Sequence, residues 1–448
     1  MGIKKGKKKK NGRLPFFAIF PFSFFVMRVF IKTYGCQMNV ADSLRMEEVL
    51  LKDGYSITQS EDDADIILLN TCSVRKSAEQ KVWSKIGELK NKKVIIGVTG
   101  CMAQEHGKKI FHRAPNVKLV CGTYRENKIS ELVSRAVKEG KTIDIAIEEC
   151  AESPGNGKHK STTNICAFVP ISRGCNNACS YCIVPSVRGP ERNRPAENII
   201  DEIRYLGCKD ATLLGQNVNS YKDGQIDFVG LLGMVNEIDG LLRVRFVTSH
   251  PKDAGEELFK AIRYLDKVCE YLHIPIQSGS NRILGKMNRK YTREHYLGLI
   301  KKARQYAPDI AISTDLIVGF PGETEEDFQD TLDLVMEVRY DSAYIFKYSP
   351  REGTAAFELA DDVPTDVKQD RNQRLLRLQE EISLSKNREL VGRIVEVLVE
   401  DVSKENKDRL MGRTRTNKIV VFPLKDGLIG NLVNVEIKEA TAHTLYGI

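Results

Sequence analysis

The sequence predicts an α/β protein in three parts. These are an N-terminal doubly wound parallel sheet, a central (β/α)6 partial barrel and a small C-terminal antiparallel β-barrel. Three observations carry this. Short apolar stretches alternate with helical patterns over residues 27–145 and again over 164–384. Apolar strands joined by helices build parallel sheets covered on both faces. Residues 385–448 then switch to short alternating strands separated by Gly and polar turns, the pattern of a small antiparallel barrel. A chain of 448 residues at ~150 per domain also suggests about three domains.

In the first part the strands read RVFIKTY, DIILLN, KVIIGVT and VKLVC. The helical patterns ADSLRMEEVLLK, VRKSAEQKVWSKIGEL and KISELVSRAVKE fill the gaps, so the sheet is doubly wound. Residues 146–163 form a linker, with the run CAESPGNGKHKSTT lacking apolar periodicity. The second part has six strand-like stretches: AFVPIS, ATLLGQN, RVRFVTS, YLHIPIQ, IAISTDLIVG and SAYIFKY. Helical patterns such as GEELFKAIRYLD, REHYLGLIKKARQY and TEEDFQDTLDLVMEV follow most of them. Residues 365–388 read as one long charged helix leading to the third part.

Composition excludes some classes. Six lysines and Arg13 in residues 1–26 account for seven of the net +8. The body is therefore nearly neutral and is no general polyanion binder by charge. No run of eighteen apolar residues occurs, so no membrane span is expected and the expected location is the cytoplasm. Eleven cysteines in a long chain suit an intracellular metal or catalytic protein better than a disulfide scaffold. Residues 1–26 mimic a signal peptide, basic then apolar, but run into a strand without a small-residue cleavage site. They are expected to be a disordered extension, or to precede a true start at Met27. The myristoylation pattern fails because position 6 is Gly6.

In parallel α/β folds ligands gather beyond the carboxyl ends of the strands. Three strands of the first part end in cysteine, at Cys36, Cys72 and Cys101, which places three thiols on one sheet edge. A fourth, Cys121, reads as an ordinary buried thiol. A second trio follows the first barrel strand in RGCNNACSYCIVP, where Cys175, Cys179 and Cys182 are spaced C-x3-C-x2-C. Structural zinc closes its shell with four protein ligands, and ferredoxin-type runs bring four cysteines per cluster. A trio leaves one coordination position open. Zinc would need an outside fourth ligand, with Cys166, His159 and Cys208 as the candidates.

The spacing C-x3-C-x2-C with Tyr181 before the last cysteine resembles the radical S-adenosylmethionine (radical SAM) enzymes. The resemblance implies a 4Fe–4S cluster on Cys175, Cys179 and Cys182, whose open iron binds S-adenosylmethionine and whose electron cleaves the sulfonium. TYGCQMN, NTCSVR and TGCMAQ, together with CIVPSVRG, LLGQNVNSY, HIPIQSGS, DLIVGFPGET and FKYSPREGTAA, narrow this to the methylthiotransferases. That resemblance implies a second 4Fe–4S cluster on Cys36, Cys72 and Cys101 that presents the transferred sulfur. It also implies a C-terminal TRAM domain that binds RNA, a tRNA substrate, an external electron donor and a chain working as a monomer. Gln37, Met38, Asn39 and Arg75 resemble the branch acting on N6-isopentenyladenosine beside the anticodon. Ser186 is more typical of a branch acting on a ribosomal-protein aspartate, and a third branch modifies threonylcarbamoyladenosine. A non-catalytic metal and RNA-binding module is the reading from a different class.

Residues at the ends of barrel strands are the candidates for contact with S-adenosylmethionine, beside Tyr181. They are Gly215, Gln216 and Asn217 after the second strand, Gln277 and Ser278 after the fourth, and Asp315 on the fifth. His250 ends the third strand and serves a turn as readily as a ligand. Cys208 and Cys269 lie in helical surroundings and are expected to be inert. The run RTRTNK, Arg413 to Lys418, is a candidate for RNA phosphate contacts, which position a nucleic acid without reading it.

Overall fold

The computed structural model describes residues 26–73, 76–147 and 165–448. The expectations for Arg75, for residues 1–25 of the extension and for most of the linker lie outside them. The first part is a six-stranded parallel sheet. Its strands are β1 (Arg28–Tyr34), β2 (Ser56–Ile57), β3 (Ile66–Thr71), β4 (Ile95–Gly100), β5 (Val117–Cys121) and β6 (Thr142–Asp144), in the order β2-β1-β3-β4-β5-β6. The four strands read from sequence form its centre, and β3 is buried along its whole length. Two edge strands, β2 and β6, are too short to carry a period of two and had no sequence signal. One face packs on helices Gln37–Lys52 and Ile129–Glu139 through Met46, Leu50, Leu132 and Val133. The other packs on Val82, Ile86, Met102 and Ile110. The sheet is thus doubly wound.

All six barrel strands appear: Cys166–Pro170, Asp210–Leu214, Arg243–Phe246, Tyr271–His273, Ala311–Val318 and Ser342–Lys347. They pair in parallel as two groups of three, joined by a bridge from Val244 to Val268. No pairing joins the first strand to the sixth among the described residues, so the barrel is partial. The helix Thr365–Arg388 closes its back, burying Leu375 and Ile382 in the barrel core and donating from Gln379 Nε2 to Tyr340 O at 2.9 Å.

The third part is a closed barrel of five strands around Val397, Val399, Leu410, Val420, Phe422, Val435, Ile437 and Leu445. One detail corrects the antiparallel expectation. Ile419–Pro423 and Thr444–Gly447 pair in parallel. An odd number of strands cannot alternate direction all the way round a closed ring, so one pair must run parallel.

The run RTRTNK turns out to have partners within the chain. Its basic groups are already engaged within the chain. Arg415 reaches Glu270 at 2.7 and 2.8 Å and the carbonyls of Asp266 and Val268. Arg413 pairs with Glu400 at 2.8 Å, and Lys418 meets Asp341 and Asn387. In return Arg243 donates to Arg413 O and Glu396, and Arg245 to the carbonyls of Thr414 and Arg415. The run seats the small barrel on the amino-terminal ends of the central strands. Arg413 and Arg415 nonetheless keep 36% and 28% of their side chains exposed. Arg245 and Asp210 are 6% and 3% exposed and lie 2.8 Å apart, so Arg245→Ala strands a buried carboxylate. That is expected to cost about 3–5 kcal/mol and to speed proteolytic release of the C-terminal barrel, scored by limited proteolysis and gel.

Candidate active site: two cysteine trios at one domain interface

Cys36, Cys72 and Cys101 lie where the sequence places them. Cys36 caps the helix Gln37–Lys52 just past β1, Cys72 follows β3, and Cys101 opens the helix Cys101–His106 after β4. Their loops are fixed by two buried asparagines. Asn70 Nδ2 donates to Asn39 O at 2.8 Å and to Ser43 Oγ at 2.9 Å, and Asn39 Nδ2 donates to Asn70 Oδ1 at 3.2 Å. Gly100 has φ +80, and a side chain there would lie 2.3 Å from Asn70 Oδ1, so only glycine fits. Met38 and Asn39 of the QMN signature therefore serve packing and loop geometry, while Gln37 is exposed beside Cys36.

The three thiols converge. Cys72 lies within hydrogen-bond reach of both Cys36 and Cys101, which raises its own pKa well above the usual thiol value. The same bonds, aided by the charge of Arg188 and opposed by desolvation, bring Cys36 down to about 6 and Cys101 to about 7. Three converging soft donors, two of them shifted toward the thiolate and with no fourth cysteine beside them among the described residues, fit an iron–sulfur cluster with one open iron. Cys121 stays apart. It lies within β5, buried, its thiol directed at Gly122 O, and burial pushes its pKa up.

The second trio sits in the loop after the first barrel strand, at the carboxyl edge. A two-residue ribbon, Ser172–Arg173 with Arg192–Asn193, closes the loop at its base. Gly174 (φ +81) leaves no room for a side chain, which would meet Pro190 O at 2.1 Å. Around the loop, Ser180 N–H donates to Met287 O, Ser180 Oγ to Lys286 O and Asn288 Nδ2 to Ala178 O. Cys175 Sγ accepts from Asn177 N and Nδ2 at 3.4 Å, and Cys179 Sγ accepts from Arg289 Nη1 at 3.1 Å. Burial raises Cys175 and pushes Cys182 up to about 12. Three thiols on one loop, one of them already accepting from a guanidinium, again fit a cluster with an open position.

The other sequence candidates divide by what their side chains do. Gln216 Oε1 accepts from Gly174 N–H at 2.6 Å and so holds the cysteine loop. Gly215 packs against Ser172, where a side chain would be 2.4 Å from its Oγ. Asn217 spends its amide on Asp253 and on His250 N–H, and Ser278 Oγ lies among Ser280 N and Thr331. Gln277 has φ +78, a strained position for a residue with a side chain. Asp315 is half-buried, with Oδ2 3.6 Å from His273 Nε2. Tyr181 packs with Ile317 on a small core of Ile283, Met287, Phe320, Tyr348 and Ala356, its hydroxyl 3.4 Å from Arg289. His250 accepts from Lys252 N–H and stacks edge-on with Tyr291, a turn role. Cys208 and Cys269 are buried.

Sequence reasoning missed what joins the two halves. Arg173 and Arg188 from the barrel share Asp42 of the sheet domain at 2.8 Å each, and Arg173 also reaches Glu126. All four are 6% exposed or less. The two guanidiniums hold the Asp42 carboxyl below its usual range despite its burial. Thr123 Oγ1 donates to Val187 O, and Tyr124 OH to Arg188 O. Cys101 packs directly on Ile183 and Val187. The stretch from Cys182 to Arg188 therefore leads from one trio to the other. Its helical part, Val184–Arg188, has five residues and advances on the order of 7–8 Å.

Two cysteine trios at the carboxyl edges of a parallel sheet and a partial β/α barrel, the second in the C-x3-C-x2-C spacing, define a radical SAM protein with a second sulfur-lined centre. Comparison with known proteins agrees. Residues 28–122 match the family described as UPF0004, residues 169–335 the Radical SAM superfamily and residues 388–448 the TRAM domain. The chain is 50% identical over 434 residues to a tRNA-2-methylthio-N(6)-dimethylallyladenosine synthase of Clostridium novyi, covering 94% of this chain and 96% of that protein. Proteins of the same name from Caldicellulosiruptor saccharolyticus and Moorella thermoacetica are 51% and 48% identical, covering 93% of this chain and 91% and 97% of theirs. The chain belongs to the tRNA-2-methylthio-N(6)-dimethylallyladenosine synthase family of radical SAM methylthiotransferases. The Gln37–Met38–Asn39 signature pointed to this branch, and Ser186 does not move the chain out of it. A solved radical S-adenosylmethionine methyltransferase, TsrM from Kitasatospora setae, shares the fold at TM-score 0.55 and 12% identity, over 74% of each chain.

Proposed function

We propose that this protein adds a methylthio group to C2 of N6-isopentenyladenosine in tRNA, with Cys175, Cys179 and Cys182 holding one 4Fe–4S cluster and Cys36, Cys72 and Cys101 a second. The observation that carries it is the packing of Cys101 from one trio against Ile183 and Val187, which directly follow Cys182 of the other, in a chain about half identical along its length to relatives of that name. When bound, the first cluster and S-adenosylmethionine supply one-electron cleavage of the sulfonium, and the second presents sulfur close to the substrate carbon.

The chain's own residues hold this arrangement. Gln216 fixes the cysteine loop, and Arg289 donates to Cys179 while stacking on Tyr291. Tyr181 walls the loop against the core. Gly215, Gln277 and Asp315 line the open edge where S-adenosylmethionine would lie. Asn217 and Ser278 act behind them, through the turns they hold. One chain carries both trios, so a monomer is sufficient. An electron donor outside the chain supplies the electrons, and the cytoplasm, where tRNA is found, is the working compartment. Among the described residues no helix is long and apolar enough to cross a membrane.

Mass spectrometry of tRNA nucleosides from cells with and without the gene tests the reading. Loss of the 2-methylthio nucleoside with accumulation of N6-isopentenyladenosine is expected. Unchanged tRNA alongside an altered ribosomal protein would show that the substrate is the other one. A purified protein that binds zinc and no iron would favour the non-catalytic module.

A further inference from the structure

One buried group has no task in the cluster-ligand scheme. Arg188 is 3% exposed. Its Nη2 donates to Asp42 Oδ2 at 2.8 Å, its backbone carbonyl accepts from Tyr124 OH, and its Nη1 is buried without a hydrogen bond of good geometry, although the guanidinium lies within reach of the Cys101 thiol. A buried cationic N–H left unpaired is costly, and native structures rarely tolerate one. The groups facing it are known. Asp42, itself bound by Arg173, pairs with Arg188, and the Cys101 and Cys36 thiols lie close enough to act on its charge. Arg188 does not belong to the sheet domain that carries those thiols. It arrives from the barrel, six residues after Cys182, on a helix whose Val187 packs against Cys101.

We propose that Arg188 is a positioning residue for the N-terminal sulfur centre, donating from Nη1 to a sulfur of the group held by Cys36, Cys72 and Cys101. This rests on the reading that the trio holds an iron–sulfur cluster. Asp42 orients the guanidinium by accepting from Nη2, and Asp42 is itself held by Arg173, which Glu126 anchors. The consequence is electrostatic. Reduction adds an electron to a site that already carries three thiolates. A fixed cation and an N–H donor favour the reduced state, so Arg188 raises the reduction potential of this centre. The barrel trio has a counterpart in Arg289, whose Nη1 is 3.1 Å from Cys179 Sγ. Each sulfur centre thus has one guanidinium at its edge. The one at the N-terminal centre comes from the neighbouring domain, so cluster electronics and domain docking depend on the same side chain.

The test uses the full chain carrying Cys175→Ala, Cys179→Ala and Cys182→Ala, so that only the N-terminal centre can become paramagnetic. Redox titration followed by electron paramagnetic resonance compares Arg188 with Arg188→Gln and Arg188→Lys, with iron content and circular dichroism on each. The midpoint is expected to move to more negative potential in Arg188→Gln and to return most of the way in Arg188→Lys. A midpoint unmoved by Arg188→Gln overturns the inference. Absence of iron with Arg188 intact would instead overturn the cluster reading on which it stands. If Arg188→Gln does not fold, the unaltered Arg188 is probed with arginine carrying nitrogen-15 only in its guanidinium. Pulsed resonance of the reduced centre is then expected to show a nitrogen-15 coupling, and its absence overturns the inference.

Discussion

Replacing Cys175, Cys179 and Cys182 together by Ala is expected to abolish cleavage of S-adenosylmethionine and to remove roughly half of the iron. The unaltered chain should take up about eight irons on anaerobic reconstitution, four for each cubane. The loop carrying these residues is held mainly by bonds that do not involve sulfur. Ser180, Asn288 and Gln216 fix it through backbone atoms, so the fold should survive the triple change. Deoxyadenosine formation under a strong reductant, read by chromatography, should fall to background, and no methylthio product should form. Iron content that did not change would mean that this trio binds no cluster, and the radical chemistry would have to be abandoned.

The triple change Cys36→Ala, Cys72→Ala and Cys101→Ala is expected to separate the two roles. If the barrel trio alone generates the radical, deoxyadenosine should still appear. Sulfur insertion needs a sulfur within reach of the substrate carbon, so the 2-methylthio product on isopentenylated tRNA should be lost completely. Holding both reactants in one interface replaces a bimolecular encounter, an advantage on the order of 7–11 kcal/mol of barrier. Sulfur arriving from solution would forgo it. Asn39, Asn70 and Gly100 shape these loops without help from the thiols, which protects the test against simple misfolding. Product at the normal rate would demote Cys36, Cys72 and Cys101 to structural thiols.

Both trios were legible because each is a local pattern. A cysteine just past an apolar run, or three cysteines within eight residues, needs no knowledge of distant contacts. The central strands of the sheet and the six barrel strands were legible for the same reason. What the sequence did not show was long-range. RTRTNK is basic on paper, yet Arg415 finds Glu270 about 145 positions away, and Arg245 returns to Arg415 across 170. Charge patterns cannot reveal such pairings. The position of Asn217 and Ser278 at strand ends was readable, but the direction of their side chains was not, and both turn toward protein partners. Arg188 stood in view within CIVPSVRG. Its meaning depends on the docking of two separately folded units, which no single-chain periodicity encodes.

The seat of the C-terminal barrel has a consequence for substrate size. It grips the amino-terminal ends of the central strands through Arg243, Arg245 and Arg415, whereas both sulfur centres lie at the carboxyl ends. The longest central strand, the fifth, has eight residues and at ~3.3 Å each spans roughly 26 Å. A ligand held by the small barrel and delivering one base to the sulfur edge must reach around that span. A lone nucleoside is far too short, and a folded RNA stem is long enough. An RNA gripped by the small barrel would therefore have to be measured against the length of the central barrel before one of its bases met the sulfur edge.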